Sequence, residues 1–262
     1  MVYYSPTKTT KQMLEYIAEG ITNAEIEQID LTPPNSGSHE VSADLTLIGV
    51  PVYGGRVSLN AAERLKKVKG NNSLSVAVAV FGNRAYEDAL IELRDLSVEL
   101  GYKPIAGGAF VAQHSWQSKY SPSMGSGRPD ESDIEKAMAF GRKIREKVEN
   151  IQSLEDAIPI DVPGDFPYKE RGAGPPPISP STEEDVCIKC GKCVEVCPVG
   201  VITLEDKVVT RSEGCTLCHA CIKYCPTNAR VFPEIYEQQK KYFSDPEVVK
   251  RYSDRKELET YL

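Results

Sequence analysis

Two cysteine runs constrain the fold of this chain more than any other feature of its sequence. The stretch CIKCGKCVEVCP, residues 187–198, is followed after seventeen residues from its last cysteine by CTLCHACIKYCP, residues 215–226. Both runs have the spacing C-x2-C-x2-C-x3-C-P, and together they hold all eight cysteines of the 262-residue chain. Because residues 1–186 contain no cysteine, this residue type serves one local purpose.

Closely spaced cysteines occur in disulfide frameworks, zinc sites and iron–sulfur sites. Disulfide frameworks are typical of small secreted domains, and the sequence does not start with an export signal. Structural zinc uses four ligands in two pairs, which leaves the triplet and the proline unexplained. A cubic 4Fe-4S cluster explains both, because three sulfurs of one tight loop bind three irons while the fourth iron faces away. The spacing therefore predicts two 4Fe-4S clusters.

The cysteine segment, residues 182 to about 233, resembles a bacterial-type ferredoxin with two 4Fe-4S clusters. In such ferredoxins the fourth cysteine of each run binds the other cluster. Residues between the ligands, such as His219, are predicted to be solvated, with their backbone amides directed at the sulfurs. The resemblance implies one cluster on Cys187, Cys190, Cys193 and Cys225, and a second on Cys215, Cys218, Cys221 and Cys197.

Residues 1–150 alternate β-branched runs with amphipathic helical stretches. The predicted strands are MVYYS, AEIEQIDL, DLTLIGVPV, LSVAVAVFG and PIAGGAFVA. The predicted helices cover residues 9–21, 59–68, 85–100 and 132–150. This order predicts an α/β fold with a five-stranded parallel sheet and helices on both of its faces, followed by the small α+β two-cluster domain.

Three loops follow predicted strands at the carboxyl ends, where ligands of such sheets bind. SPTKTTK, residues 5–11, opens a helix, so its hydroxyls and amides suit a phosphate or serve as ordinary helix caps. PVYGGRVS and FGNRAYEDA place aromatic residues and glycines where a planar ring fits between them. Loop packing is the alternative role of Tyr53, and a surface ion pair is the alternative role of Arg56.

The three loops resemble those of flavodoxin, which binds FMN with the phosphate in the first loop and the isoalloxazine ring between the other two. Lys8 stands where the phosphate loop of that family usually has glycine. His114, Ser115 and Trp116 follow the fifth strand and line either the flavin or the domain interface, with a buried structural role as the alternative. The resemblance implies FMN-binding residues Ser5, Thr7, Lys8, Thr9, Thr10, Pro51, Val52, Tyr53, Gly54, Gly55, Phe81, Gly82, Asn83, Arg84 and Tyr86.

The chain is predicted to have four segments. Residues 1–150 are a flavodoxin-like FMN-binding domain, 151–182 a linker rich in proline and glycine, and 183–235 a ferredoxin-like domain with two 4Fe-4S clusters. Within the linker, PPPISP favours an extended polyproline conformation. Residues 236–262 are predicted to form a helical tail that packs back onto a domain, with partner docking as the alternative.

The order of the modules, together with GNRAYEDAL and GGAFVAQHSW, resembles the flavodoxin-ferredoxin fusion family of anaerobic bacteria and archaea. The resemblance implies an electron-transfer protein that relays electrons between two 4Fe-4S clusters and FMN. Its redox partner would be a ferredoxin or a reductase. The alternative is a flavin-dependent reductase of a small substrate or a nicotinamide, although the sequence has no G-x-G-x-x-G fingerprint. Whether the chain is a carrier or an oxidoreductase stays open at this point.

Composition narrows the environment and the partners. The formal net charge of −7 argues against general binding to nucleic acids, which requires basic surfaces. The sequence has no apolar run of about eighteen residues, so no membrane span is predicted and a cytoplasmic location is expected. A homodimer, in which the clusters of one chain face the flavin of another, is as compatible with the sequence as a monomer.

Overall fold

A mostly parallel sheet forms the centre of the N-terminal domain in the computed structural model, which describes residues 1–172, 174 and 176–262. The strands are β1 (Val2–Tyr3), β2 (Ile29–Asp30), β3 (His39–Glu40), β4 (Leu45–Tyr53), β5 (Arg56–Val57), β6 (Val68–Lys69), β7 (Leu74–Phe81), β8 (Lys103–Val111), β9 (Ser181–Thr182), β10 (Ile202–Leu204), β11 (Val208–Thr210), β12 (Arg230–Val231) and β13 (Glu259–Tyr261). The helices are α1 (Thr9–Ile21), α2 (Leu59–Leu65), α3 (Ala89–Glu99), α4 (Glu131–Asn150), α5 (Lys192–Glu195), α6 (Ala220–Lys223), α7 (Pro233–Tyr242) and α8 (Pro246–Ser253), with a 3-10 turn at Leu154–Asp156.

The strand order of this sheet is β2-β1-β4-β7-β8-β13, and every pair from β2 to β8 is parallel. Counted along the five predicted strands, the order is 2-1-3-4-5, which is that of the flavodoxin-like doubly wound sheet. The predicted five-stranded parallel sheet is therefore confirmed. β5 adds a short antiparallel partner to β4.

Two hydrophobic clusters cover the two faces of the sheet. On one face Leu65 of α2 and Leu90 of α3 are buried, and on the other face Leu14 of α1 and Phe140 of α4 are buried. All residues of β7 are buried, and alternate ones join the two clusters. This is the pattern of a strand that is covered on both faces, so the prediction of helices on both sides is also confirmed.

The contact between α1 and α4 depends on two glycines. A Cβ on Gly20 would lie 2.1 Å from the carbonyl oxygen of Met138, and one on Gly141 would lie 2.1 Å from that of Ile17. Any larger residue would collide with backbone at these points, so the glycines allow the two helices to approach closely. The packing fixes α1, whose first turn borders the candidate site.

Several element bounds differ from the prediction because of tertiary contacts. The helix predicted from residue 85 begins at Ala89, since the preceding Asp88 accepts hydrogen bonds from the amides of Asp165 (2.9 Å) and Lys169 (2.6 Å) in the linker. α2 ends at Leu65, and the residues that follow form β6, which pairs with β3 in a separate two-stranded sheet. Distant partners of this kind leave no periodic signal in the local sequence.

The tail predicted to be helical contains α8 and most of α7, but it ends in strand β13. This strand pairs antiparallel with β8, with Glu259 opposite Ala109 and Tyr261 opposite Gly107. The predicted helical tail does not include this strand, because a three-residue strand is too short to show alternation. The strand covers what would otherwise be an open sheet edge.

The cysteine-rich domain consists of two short antiparallel ladders and two single-turn helices. β10 pairs with β11, and β9 pairs with β12. α5 and α6 each begin within a cysteine run, after Gly191 and His219 in left-handed conformation. Both β10 and β11 lie between the two cysteine runs.

The linker is tied to the sheet domain along its length. Arg171 forms an ion pair with Glu92, and the Tyr168 hydroxyl donates a hydrogen bond of 2.6 Å to Asp95. The predicted polyproline stretch 175–180 includes Pro175, which lies outside the described residues. In the described part of the chain, no helix is long and apolar enough to cross a membrane.

Candidate functional site

A large cavity lies at the carboxyl ends of the parallel strands, where doubly wound sheets bind ligands. Its volume is about 1090 Å³. Residues from the loops after β1, β4, β7 and β8 form one side, and residues of the linker, the second cysteine run, α7 and α8 form the other. Of the fifteen residues predicted to bind FMN, ten line the cavity: Ser5, Thr7, Thr9, Thr10, Pro51, Val52, Tyr53, Gly54, Phe81 and Gly82.

The first loop of the site is held in shape by the hydroxyls of Ser5 and of Thr32, which follows β2. The Ser5 amide donates to the Thr32 hydroxyl (2.8 Å), and the Ser5 hydroxyl accepts from the amide of Lys11 (3.1 Å). Thr7 and Thr9 place their hydroxyl oxygens 3.3 Å apart beside the cavity. The loop therefore brings hydroxyls to the start of α1, an arrangement that suits an anion such as phosphate.

Lys8 precedes α1 in left-handed conformation, with φ 62°. This is the conformation that favours glycine, so the residue expected from flavodoxin fits the backbone seen here. The Lys8 ammonium lies 5.6 Å from the ring centre of Tyr224 in the cysteine-rich domain. In the described part of the chain, Lys8 is outside the cavity lining.

The ring-side loops use glycine for two different reasons. Gly54 and Gly55 both have positive φ, 63° and 83°, so the turn after β4 requires this conformation. A Cβ on Gly82 would lie 2.3 Å from Cδ2 of His114, so a side chain there would displace the imidazole.

Burial, reinforced by the Cys218 sulfur, raises the pKa of Tyr53 well above its usual value, so its phenol is neutral.

The other predicted residues of the 82–86 loop do not line the cavity, and two of them, Asn83 and Tyr86, hold the tail. The Asn83 amide donates to the carbonyl oxygens of Tyr252 (2.7 Å) and Asp254 (3.0 Å). The Tyr86 hydroxyl donates to Glu259 (2.6 Å), and Arg84 forms an ion pair of 2.5 Å with Glu87. Among the described residues, Gly55, Asn83, Arg84 and Tyr86 are outside the cavity lining.

A second, small cavity of about 20 Å³ is lined by four cysteines. They are Cys197 from the first run and Cys215, Cys218 and Cys221 from the second. Burial is the main reason that the pKa of Cys218 is raised to about 12 and that of Cys221 to about 11. As free thiols these groups would be neutral, so thiolates here need compensating positive charge.

Arg230 supplies part of that charge. It is 3% exposed, and its Nη2 lies 3.9 Å from the sulfur of Cys221. Within the described residues, Arg230 Nε and the neighbouring His219 Nε2 are buried without hydrogen-bond partners. The Nε–H of Arg230 is a donor, so its lack of a partner indicates a missing acceptor. The donor set of this pocket therefore suits an anionic, thiolate-bound cluster.

Of the other four cysteines, one is buried and three are not. Cys190 is exposed, Cys187 and Cys225 are half-buried, and Cys193 is buried. In the described part of the chain, no three His, Cys, Asp or Glu side chains converge on a single metal ion. Thiolates that bind a cubic cluster surround a larger body than one ion, so this spacing is compatible with a cluster.

His219 was predicted to be solvated, and this prediction is wrong. It is 6% exposed, and its ring stacks on Trp116 with centroids 5.5 Å apart and planes 16° apart. Burial, with a smaller effect of His114, lowers the pKa of His219 to about 3, so the imidazole is neutral at pH 7. Its stacking partner lies in the other domain, which the local sequence does not reveal.

One loop separates the two cavities. Thr216 and Leu217, which lie between Cys215 and Cys218, line both of them. Trp116 lines the large cavity, and its Nε1 donates a hydrogen bond of 2.6 Å to the carbonyl oxygen of Leu217. His114, Ser115 and Trp116, predicted to lie near the flavin or the domain interface, all line the large cavity.

Additional lining residues come from outside the predicted loops. The tail contributes Tyr242, Phe243, Val248 and Tyr252 among others. Its tyrosine-rich composition was the only sequence signal for them. Thr216 and Leu217 carry no signal of their own, because a hydroxyl and an apolar side chain between two ligands have no distinctive pattern.

Residues 186–229 match the model of the family described as "4Fe-4S dicluster domain". The chain is a flavodoxin-like domain joined to a 4Fe-4S dicluster domain. The strand order of the sheet supports the first domain, and the family match supports the second. A search of curated proteins found no match.

Solved structures similar to this chain include a flavodoxin from the domain Archaea, with 18% identity, 57% of this chain and 96% of that chain covered, and a TM-score of 0.37. Rubredoxin:oxygen oxidoreductase from Desulfovibrio gigas has 16% identity and a TM-score of 0.41, and the match covers 56% of this chain and 35% of that chain. A flavone reductase has 13% identity and a TM-score of 0.41, and the match covers 93% of this chain and 90% of that chain.

Proposed function

We propose that this fusion relays electrons between two 4Fe-4S clusters and FMN. The observation that carries the proposal is the shared wall: Thr216 and Leu217 line the cavity at the sheet end and also the cavity of buried cysteines. Among the described residues, the loop between Cys215 and Cys218 then lies between the two cofactor sites. An arrangement of this kind favours transfer within one chain.

The FMN phosphate is assigned to the loop after β1, with the hydroxyls of Ser5, Thr7, Thr9 and Thr10 at the start of α1. The ring is assigned to the space between Tyr53 and Gly54 on one side and Phe81 and Gly82 on the other. When bound, FMN would supply a centre that exchanges electrons singly or in pairs, whereas each cluster exchanges one.

The clusters are assigned with the crossover expected of a two-cluster ferredoxin. Cys197 joins Cys215, Cys218 and Cys221, because these four line one cavity. The other cluster is assigned to Cys187, Cys190, Cys193 and Cys225. Exposed Cys190 and the 64% exposed Ile188 beside it make this second cluster the point of exchange with an external ferredoxin or reductase.

The first test is the cofactor content of anaerobically purified protein. We expect about eight irons, about eight sulfides and about one FMN per chain. Full iron without flavin would contradict the relay and leave only a ferredoxin. A second test reduces the clusters rapidly and then records the flavin absorbance over time, which gives the rate of electron transfer. If the transfer occurs within one chain, this rate should not change when the protein is diluted.

The alternative function is direct reduction of a small substrate at the flavin. Steady-state assays with reduced ferredoxin, NADH and NADPH as separate donors distinguish the two functions. Activity that needs the reduced ferredoxin supports the relay. Reduction of the flavin by a nicotinamide alone, with the clusters removed, would contradict it.

A further inference from the structure

The large cavity extends beyond the loops to which FMN is assigned. Pockets that hold a single small ligand have volumes of about 300–1,000 Å³. The present cavity, at about 1090 Å³, lies at the upper end of that range and extends from the loop after β1 to the helices of the tail. A flavin at the sheet end would leave the compartment beside the tail free.

The tail end of the cavity is aromatic. The rings of Tyr242, Phe243 and Tyr252 lie edge to face, with centroids 5.1 Å, 5.4 Å and 6.1 Å apart in the three pairs. All three residues line the cavity, as does Val248 of α8. Flat apolar surfaces in this arrangement suit a planar ring.

The tail is held in place by polar contacts that do not use these rings. The Gln239 amide donates to the carbonyl oxygen of Trp116 (2.8 Å), and the Ser118 hydroxyl donates to Gln239 (2.6 Å). Asn83 donates to the backbone oxygen of Tyr252, and Arg255 forms an ion pair of 2.7 Å with Asp130. Changes in the aromatic side chains should therefore leave the tail docked.

The lining has few free cations for an anionic ligand, because two arginines share one carboxylate and, among the described lining residues, Lys241 is accompanied by Asp245. Arg56 and Arg171 face the cavity, but both form ion pairs with Glu92. Among the described lining residues, Lys241 is the remaining cation. A nicotinamide dinucleotide would bring a diphosphate, which requires several free donors or cations.

The geometry points to a second ligand site at the tail, for a planar, uncharged aromatic acceptor such as a quinone. This second site rests on the proposed function, because the flavin is assigned to the sheet end of the same cavity. Reduction of a quinone to the hydroquinone consumes two electrons and two protons. The electrons come in two single steps from a low-potential donor protein by way of the clusters, and the protons come from water.

The probe is menadione, titrated into the oxidised, FMN-loaded full-length chain. Equilibrium dialysis measures the stoichiometry, and the flavin difference spectrum measures the affinity, so no turnover is needed. Val248→Trp should fill the compartment and weaken menadione binding at least about tenfold, which is about 1.4 kcal/mol. Phe243→Ala removes one aromatic wall and should also weaken binding, whereas Phe166→Ala, at a ring that is 78% exposed on the linker, is the control.

One menadione per chain, weakened by Val248→Trp and Phe243→Ala with FMN content unchanged, supports the site. Absence of saturable binding would overturn it, and so would equal binding by Val248→Trp or tighter competitive binding of NADH. If the chain retains no FMN, the proposed function fails separately. Menadione binding to the flavin-free protein, with the same variants, then still decides whether the site exists.

Discussion

Trp116 Nε1 donates a hydrogen bond of 2.6 Å to the carbonyl oxygen of Leu217, and this bond joins the sheet domain to the loop between Cys215 and Cys218. The indole also stacks on His219, which follows Cys218. Leu217 is 4% exposed, so its carbonyl has few alternative donors. Trp116 therefore positions the wall between the two cavities.

Trp116→Phe should loosen this wall while preserving its apolar packing. Leaving the buried carbonyl of Leu217 without a donor should lower the free energy of unfolding by about 1–2 kcal/mol. We expect unchanged iron and FMN contents but slower reduction of the flavin by the clusters in flash-photolysis experiments. Phe166→Leu on the exposed linker is the matched control. Equal transfer rates in both variants would show that Trp116 has no positioning role.

Cys197→Ser tests the crossover of the cysteine runs. Because Cys197 shares a cavity with Cys215, Cys218 and Cys221, the variant should lose the buried cluster and retain the one near the surface. Iron should fall from about eight to about four per chain. Cys190→Ser, at the exposed cysteine, should lose the other cluster.

Electron paramagnetic resonance of the reduced variants distinguishes the two outcomes. The signals that remain in Cys197→Ser and in Cys190→Ser should differ and together account for the spectrum of the parent protein. If both variants lost the same signal, each cysteine run would hold its own cluster without a crossover.

The sequence predicts those parts of the molecule whose signal is local. β4 and β7 are apolar runs with both faces covered, so composition alone locates them. The cysteine spacing is dictated by the shape of a cluster, and it predicts the dicluster domain. The sequence also locates the loops after β1, β4 and β7, because each of them directly follows a predicted strand.

Contacts between distant segments escape a sequence reading. His219 is buried because Trp116 covers it, and Asn83 bonds to tail carbonyls that any residue could provide. β13 is three residues long and is ordered by the edge of β8. In each case the partner is far away in sequence, or it is backbone and has no residue signature.

Lys8 offers a test of backbone conformation in the candidate phosphate loop. Its φ of 62° lies in the left-handed region, which costs a non-glycine residue about 1–2 kcal/mol. Lys8→Gly and Lys8→Ala both remove the ammonium above Tyr224, so their difference isolates the backbone. Urea denaturation should find the glycine variant more stable by about 1 kcal/mol. Equal stabilities would show that the loop is not left-handed at this residue.

His114 should make the stability of the protein depend on pH between about 7 and 4. Burial, with a further effect of the Arg84 charge, lowers the pKa of His114 to about 4, compared with about 6.5 in the unfolded chain. As the pH falls through this window the unfolded state binds the proton first, so the free energy of unfolding decreases. Between pH 7 and pH 5 the loss from this residue should be about 2 kcal/mol.

His114→Gln retains an acceptor for the backbone amide of Trp116, which donates to His114 Nδ1 (3.0 Å), but it has no proton to bind in this range. Its urea midpoints at pH 7 and pH 5 should therefore differ less than those of the parent protein. Other groups titrate in both proteins, so the difference between the two pH profiles reports on His114 together with its smaller effect on His219. Parallel profiles would mean that the imidazole is hydrated or already protonated in the folded state.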